Sequence, residues 1–230
     1  MSEGCLLCGA ELEYLPAAEE MQCVFCGRTF ESTAHCRNGH YICDECHANP
    51  AESSIRRIVL QTRSKNPYAI AEEMFASPAV HMHGPEHHFL VASALLAACG
   101  NAGLDIDRES ALNAVIARGR KVPGGFCGLA GCCGAAVSAG IFASVVQKTT
   151  PLSAKPWASG IQLTADSLEA VAKLGGPRCC KRNTYAVLQT AVAFCAEELN
   201  IILEHPDTIT CRHSGKNTEC KKTDCPFYPR

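Results

Sequence analysis

Pro123-Gly-Gly-Phe-Cys127-Gly-Leu-Ala-Gly-Cys132-Cys133-Gly-Ala-Ala-Val-Ser-Ala-Gly-Ile-Phe-Ala-Ser144 is the stretch on which the reading of this chain turns. A glycine-rich loop carrying Cys127 leads into the Cys132–Cys133 pair. The residues that follow are small on every side, which predicts a helix packed tightly on its neighbours over 135–144. The free amides of a helix start suit an anionic cluster, a carboxylate or a thiolate, so Cys132 and Cys133 are expected to have lowered pKa values. The uncharged run Val122–Gln147 is long enough to span a bilayer. Its proline and glycines make that transfer poor, so a buried helix and no membrane partner are expected.

Outward from this stretch, 230 residues allow one good core plus a small accessory module. A net charge of -2 gives no general attraction to phosphate backbones, and no nucleic-acid partner is expected. The anomaly is 17 cysteines beside one tryptophan. The opening MSEGCLLCGAELEY is acidic and holds no apolar stretch of signal length, which points to a reducing cytoplasm with thiols held as metal ligands or redox groups.

Residues 1–49 read as a metal module. Cys5-Leu-Leu-Cys8-Gly and Cys23-Val-Phe-Cys26-Gly are two CxxC knuckles, and the glycine after each pair lets backbone amides turn toward the sulfurs. Cys36-Arg-Asn-Gly-His40-Tyr-Ile-Cys43-Asp-Glu-Cys46 supplies three more thiolates and an imidazole, giving eight ligands for two zinc ions. They can pair sequentially (5/8/23/26 and 36/40/43/46) or cross-braced (5/8 with 36/40, and 23/26 with 43/46). His35 and His47 are bystanders. So small a module depends on its metal to fold.

Residues 50–205 read as an all-helical domain. Asn66-Pro67 caps one helix, Pro85 can open another that runs to Cys99, and further helices are predicted at Asp105–Arg118, Thr164–Leu174 and Thr184–Leu203. Val80-His81-Met-His83-Gly-Pro-Glu86-His87-His88 gathers four imidazoles at a helix start, where they can ligate metal or carry protons. A second doublet, Cys179–Cys180, sits at the next helix start among Arg178, Lys181 and Arg182, cations that favour thiolates. The two doublets are expected to face each other across one buried centre, with Cys99 and Cys195 as plain core residues.

Residues 206–230 form a Cys-rich tail. Cys211, Cys220 and Cys225, the last followed by proline, resemble an iron–sulfur ligand run. Three thiolates need a fourth partner such as Cys180 or His213, or leave an open iron; a third zinc site with His213 is the alternative.

Three resemblances add to this. Cys36 to Cys46 resembles the C-x-x-G-H-x-x-C-x-x-C half of RING and related treble-clef fingers, but the shorter N-terminal half departs from RING spacing, and ubiquitin-ligase activity is not carried over. HMHGPEHH, GGFCGLAGCCGAA, RCCKRN and the C-x8-C-x4-CPFYP tail resemble a family known only as a domain of unknown function, found chiefly in anaerobic archaea and bacteria, over roughly residues 55–230. More distantly, Gly124–Gly140 is similar to small redox proteins with a C-GCAxxG-C-C pattern. Gly–Cys segments ahead of alanine-rich helices also look like those of iron–sulfur serine dehydratases and cysteine desulfidases.

The expectation is a mainly α protein with a zinc module and a 4Fe-4S cluster, a redox or sulfur-handling protein of anaerobic metabolism acting with a protein partner or on a small thiol or amino acid. Cys127, Cys132, Cys133, Cys179 and Cys180 would line the centre, with His83 or His87 as acid–base groups. Cys132, Cys180, Cys211, Cys220 and Cys225 would hold the cluster. A lyase with an open iron and a non-catalytic metallo-adaptor are the competing readings.

Overall fold

The computed structural model describes residues 4–230. Two antiparallel strands, β1 (Leu12–Gln22) and β2 (Thr29–Cys36), form a ribbon whose closing loop carries the second CxxC knuckle. Most of β1 faces solvent, so the ribbon has no core of its own, and a lone two-stranded ribbon is marginal in water. Its register breaks between Tyr14 and Glu19, where Leu15 to Ala18 bulge opposite Thr33. Pro16 lies in that bulge, where no ladder hydrogen bond is lost. Bulges bend a ribbon, and beyond it Cys23 bridges back to Tyr41. The sequence pattern, read through the CxxC spacing, did not announce these strands.

The remaining chain is helical: α1 (Asp44–Ala48), α2 (Pro50–Gln61), α3 (Pro67–Ala76), α4 (His87–Asn101), α5 (Arg108–Gly119), α6 (Phe126–Ala130), α7 (Gly134–Val146), α8 (Lys155–Leu174) and α9 (Cys180–Leu199). Asn66 caps α3 by accepting from the amides of Tyr68 and Ala69, and Asp107 caps α5 through Ser110. Two helices differ most in extent from the sequence reading. Lys155-Pro156 opens α8 nine residues before Thr164, because proline fits the first helical turn. α9 starts at Cys180 and stops at Asn200, whose left-handed backbone ends it before Leu203.

α4 is buried on nearly every side and is packed by α2, α3, α5, α7 and α9. Its apolar surface all round is what a central helix needs. The small residues of α7 let it lie close on both sides. Ser138 Oγ accepts from the Ala92 amide of α4 at 3.0 Å, and a Cβ on Gly140 would stand 2.0 Å from Thr164 Oγ1 of α8. Cys99 and Cys195 are fully buried with sulfurs 3.6 Å apart between α4 and α9. The run 122–147 is cut into α6 and α7, and no described helix is long and apolar enough to cross a membrane.

The tail has no regular structure beyond two 3-10 turns, Ser214–Lys216 and Lys222–Asp224. It is nevertheless packed onto the bundle. Phe227 is buried with its ring 5.3 Å from that of Tyr185, and the Cys211 amide bonds the Phe227 carbonyl at 2.7 Å.

Candidate metal centres and the cysteine-lined cavity

The eight N-terminal ligands fall into two groups, Cys5/Cys8/Cys36/His40 and Cys23/Cys26/Cys43/Cys46. This is the cross-braced pairing. The bent ribbon decides it by bringing Cys36 back to the first knuckle and Tyr41 back to the second, so His40 and Cys43 serve different groups although three residues apart. In the first group Cys8 Sγ lies 3.8 Å from Cys36 Sγ and 3.3 Å from His40 Nδ1; in the second, Cys26 and Cys43 sulfurs are 3.9 Å apart. A tetrahedral ion with metal–sulfur bonds of about 2.3 Å sets its thiolates about 3.8 Å apart, so both groups fit such an ion. Backbone amides add the usual donors to ligating sulfur: Leu7 to Cys5, His40 to Cys36 and Cys43 to Cys23, each at 3.4 Å. Cys46 is fully buried, and burial pushes its thiol well up, so the folded site resists ionisation until a cation compensates it.

The second group is roofed by the helical domain. Cys23, Phe25, Cys43 and Cys46 pack with Ala79 from the segment between α3 and α4, and Arg120 reaches back to Glu52 and Asn49 at the start of α2. His35 and His47 stand outside both groups.

The other cysteines divide differently from the doublets of the sequence. Cys179, Cys211, Cys220 and Cys225 line one small cavity of about 20 Å³, with Met82, Arg182 and Lys221 among the other wall residues. Cys180, the next residue, turns away from it. It stands near Gly84 and Cys133, which in turn accepts from Asn183 Nδ2 at 3.4 Å. The two side chains diverge because the backbone changes between them: Cys179 is extended, with φ -144° and ψ 105°, and Cys180 is already helical. Cys179 is the N-cap and faces the tail; Cys180 is the first helical residue and faces α7.

The sulfurs of the cavity carry the same backbone signature as the two N-terminal groups. The Arg182 amide donates to Cys179 at 3.5 Å, His213 to Cys211 at 3.4 Å and Lys222 to Cys220 at 3.4 Å. They are spaced more widely, however. Among the described residues no three of these ligand atoms come within 4.8 Å of one another, as a single tetrahedral ion requires. The cations beside the second doublet do not give it ready thiolates: burial comes first and pushes Cys179 up, and Cys180 up to about 11. Burial, with the neighbouring thiols adding, also raises Cys211.

The histidine-rich stretch serves as a clamp. His83 Nε2 lies 3.1 Å from Asn217 Oδ1 and 3.3 Å from Glu219 Oε2, which fastens the tail to the loop before α4. His87 is 1 % exposed, with Nδ1 3.2 Å from the Gly84 carbonyl and Nε2 unpartnered. Burial, then Lys181, pushes it down to about 3, so it is neutral. His88 Nδ1 bonds the Val122 carbonyl at 2.9 Å and holds the glycine–cysteine loop.

A network without a sequence signal lies behind the cavity. Glu72 of α3 accepts from Tyr185 and lies 3.3 Å from His213 Nε2; burial opposes, but those two partners hold its carboxyl below the usual range. Nothing in the helical pattern around Glu72 marks it. Arg182 is also buried, its guanidinium donating to the Gly175 and Pro177 carbonyls at 2.7 and 3.0 Å, and it fixes the turn ahead of Cys179.

A family model described as a family of unknown function, DUF5714, matches residues 55–228. The chain belongs to that family. The DUF5714 region takes in the cysteine-lined cavity, the glycine–cysteine loop and the histidine clamp, and leaves both N-terminal metal groups outside. Searches of the curated proteins and of the solved structures gave no match.

Proposed function

We propose that this DUF5714 chain is a metalloprotein of reducing, anaerobic metabolism, with two structural zinc ions in its N-terminal module and an iron–sulfur cluster held by Cys179, Cys211, Cys220 and Cys225, acting as a redox or sulfur-handling protein. The observation that carries this reading is the meeting of those four thiols on one cavity, three of them receiving backbone amides as the N-terminal ligands do. Four Cys thiolates are the common ligand set of such clusters. A cluster, with an iron at each corner, holds its thiolates farther apart than one ion does, in keeping with the wider spacing. Arg182 and Lys221 on the cavity wall suit an anionic centre. The cavity is narrow, and the wall that would give is the tail, whose regular structure is two short 3-10 turns.

The fourth thiol also bears on the chemistry. With Cys179 completing the set, no iron is left open to bind a hydroxy or thiol amino acid, which favours electron transfer over a lyase. Anaerobic purification with iron, sulfide and zinc analysis tests the reading. About four irons and two zincs per chain are expected. Cys179→Ser should lose the visible absorption, and Cys180→Ser should keep it. Three zincs without iron would overturn the redox reading and leave a metal-braced adaptor.

A further inference from the structure

The glycine–cysteine loop is not used by the four-thiol cavity, yet it borders a second one. A groove of about 530 Å³ runs between α6, the end of α8 and the start of α9, and Cys127 and Cys133 both line it. One of its glycines has no structural reason to be bare. Gly125 and Gly131 need their positive φ angles of 77° and 68°. Gly128 lies inside α6, and a Cβ there would meet nothing within 4 Å. Neither packing nor backbone conformation asks for glycine at that position, whereas the close approach of a bound molecule does. Cys133 is the N-cap residue of the 13-residue α7, and its sulfur accepts from Asn183 Nδ2 at 3.4 Å, a contact that aims it along the groove wall both residues share. Arg178 gives the rim a cation, and Arg182 forms part of the wall of both this groove and the four-thiol cavity.

We propose that this groove is a substrate site for a small anionic disulfide, and that Cys133 is the thiol that attacks it. The Cys133 proton passes to solvent, and the thiolate displaces one half of the disulfide. A bond forms between Cys133 Sγ and the near sulfur, the original S–S bond breaks, and the departing thiolate takes up a proton. Release of the second half needs two electrons and two protons. A low-potential one-electron carrier supplies the electrons in two steps through the neighbouring cluster, returning Cys133 as a thiol with a second free small thiol. The completed cycle rests on the cluster reading above; the first exchange does not.

The experiment uses the full chain with its metals, under anaerobic conditions, with oxidised glutathione as the anionic probe and 2-hydroxyethyl disulfide as the neutral one. Intact mass and peptide mapping follow the adduct, and iron and zinc are measured on the same sample. The expected result is a mixed disulfide on Cys133 whose rate saturates with oxidised glutathione and which Cys133→Ser removes. Arg178→Ala, at an exposed site that leaves folding intact, should slow the anionic probe about fivefold and leave the neutral one unchanged. Adducts confined to Cys127 or Cys132, a rate that never saturates, or an equal effect of Arg178→Ala on both probes would overturn the proposal. Missing iron with normal labelling of Cys133 would sink the cluster and spare the groove; full iron with no labelling would do the reverse.

Discussion

The imidazole of His83 lies 3.1 Å from Asn217 Oδ1, although 134 residues separate them. This contact, with Glu219 alongside, pins a tail that has little regular structure against the loop ahead of α4. Three of the four cavity cysteines are on that tail, so the cavity exists only while the tail is fastened.

His83→Ala should therefore loosen the tail and leave the bundle intact. A side-chain hydrogen bond of this kind contributes about 1 kcal/mol. Limited proteolysis should cut within residues 206–230 several times faster, with an unchanged pattern elsewhere. Equal cutting rates in the two proteins would show that Phe227 and the tail's own turns hold it alone.

The cross-braced pairing predicts which substitutions share an ion. Cys8→Ser combined with Cys36→Ser should release one zinc per chain, because both serve the first group. Cys8→Ser with Cys43→Ser should release two. Metal analysis after gel filtration separates the outcomes, and a sequential arrangement would give the loss of two for the first pair.

His87 makes stability depend on pH. The folded imidazole is pushed down to about 3 by burial first and then by Lys181, while an unfolded histidine titrates near 6.5. Between those values the unfolded chain binds one more proton than the folded one, so stability rises with pH and is lost as pH falls below about 6.5. The loss amounts to about 1.4 kcal/mol per pH unit from this residue. His87→Asn, which keeps a donor toward the Gly84 carbonyl, should flatten the slope by one proton in urea unfolding between pH 4.5 and 7. Phe75, Lys181, His83, His88 and Glu86 surround the ring, and an unchanged slope would show that His87 does not set it.

Gly140 sets how close α7 comes to α8. Gly140→Ala would drive a methyl against Thr164 Oγ1, which is held in place by the Gly160 carbonyl at 3.0 Å. Overpacking of this size costs about 1–3 kcal/mol. Thermal unfolding should show the drop, and adding Thr164→Ala should restore much of it, since the Thr164 Cβ alone would lie 3.4 Å away.

Local features were legible from the residues alone: eight candidate ligands at CxxC and C-x-x-G-H spacing, the Asn66-Pro67 cap, an apolar α4, and a small-residue α7. Each is set by residues a few positions apart, where spacing and capping chemistry act. The three-dimensional fold settled which candidate ligands stand together, that Cys179 joins the tail while Cys180 faces Cys133, that Glu72 meets His213 and that Asn183 meets Cys133. Those choices depend on the bend of a ribbon and on the change from extended to helical backbone between Cys179 and Cys180. The fold of the whole chain fixes both, and no short window of sequence carries them.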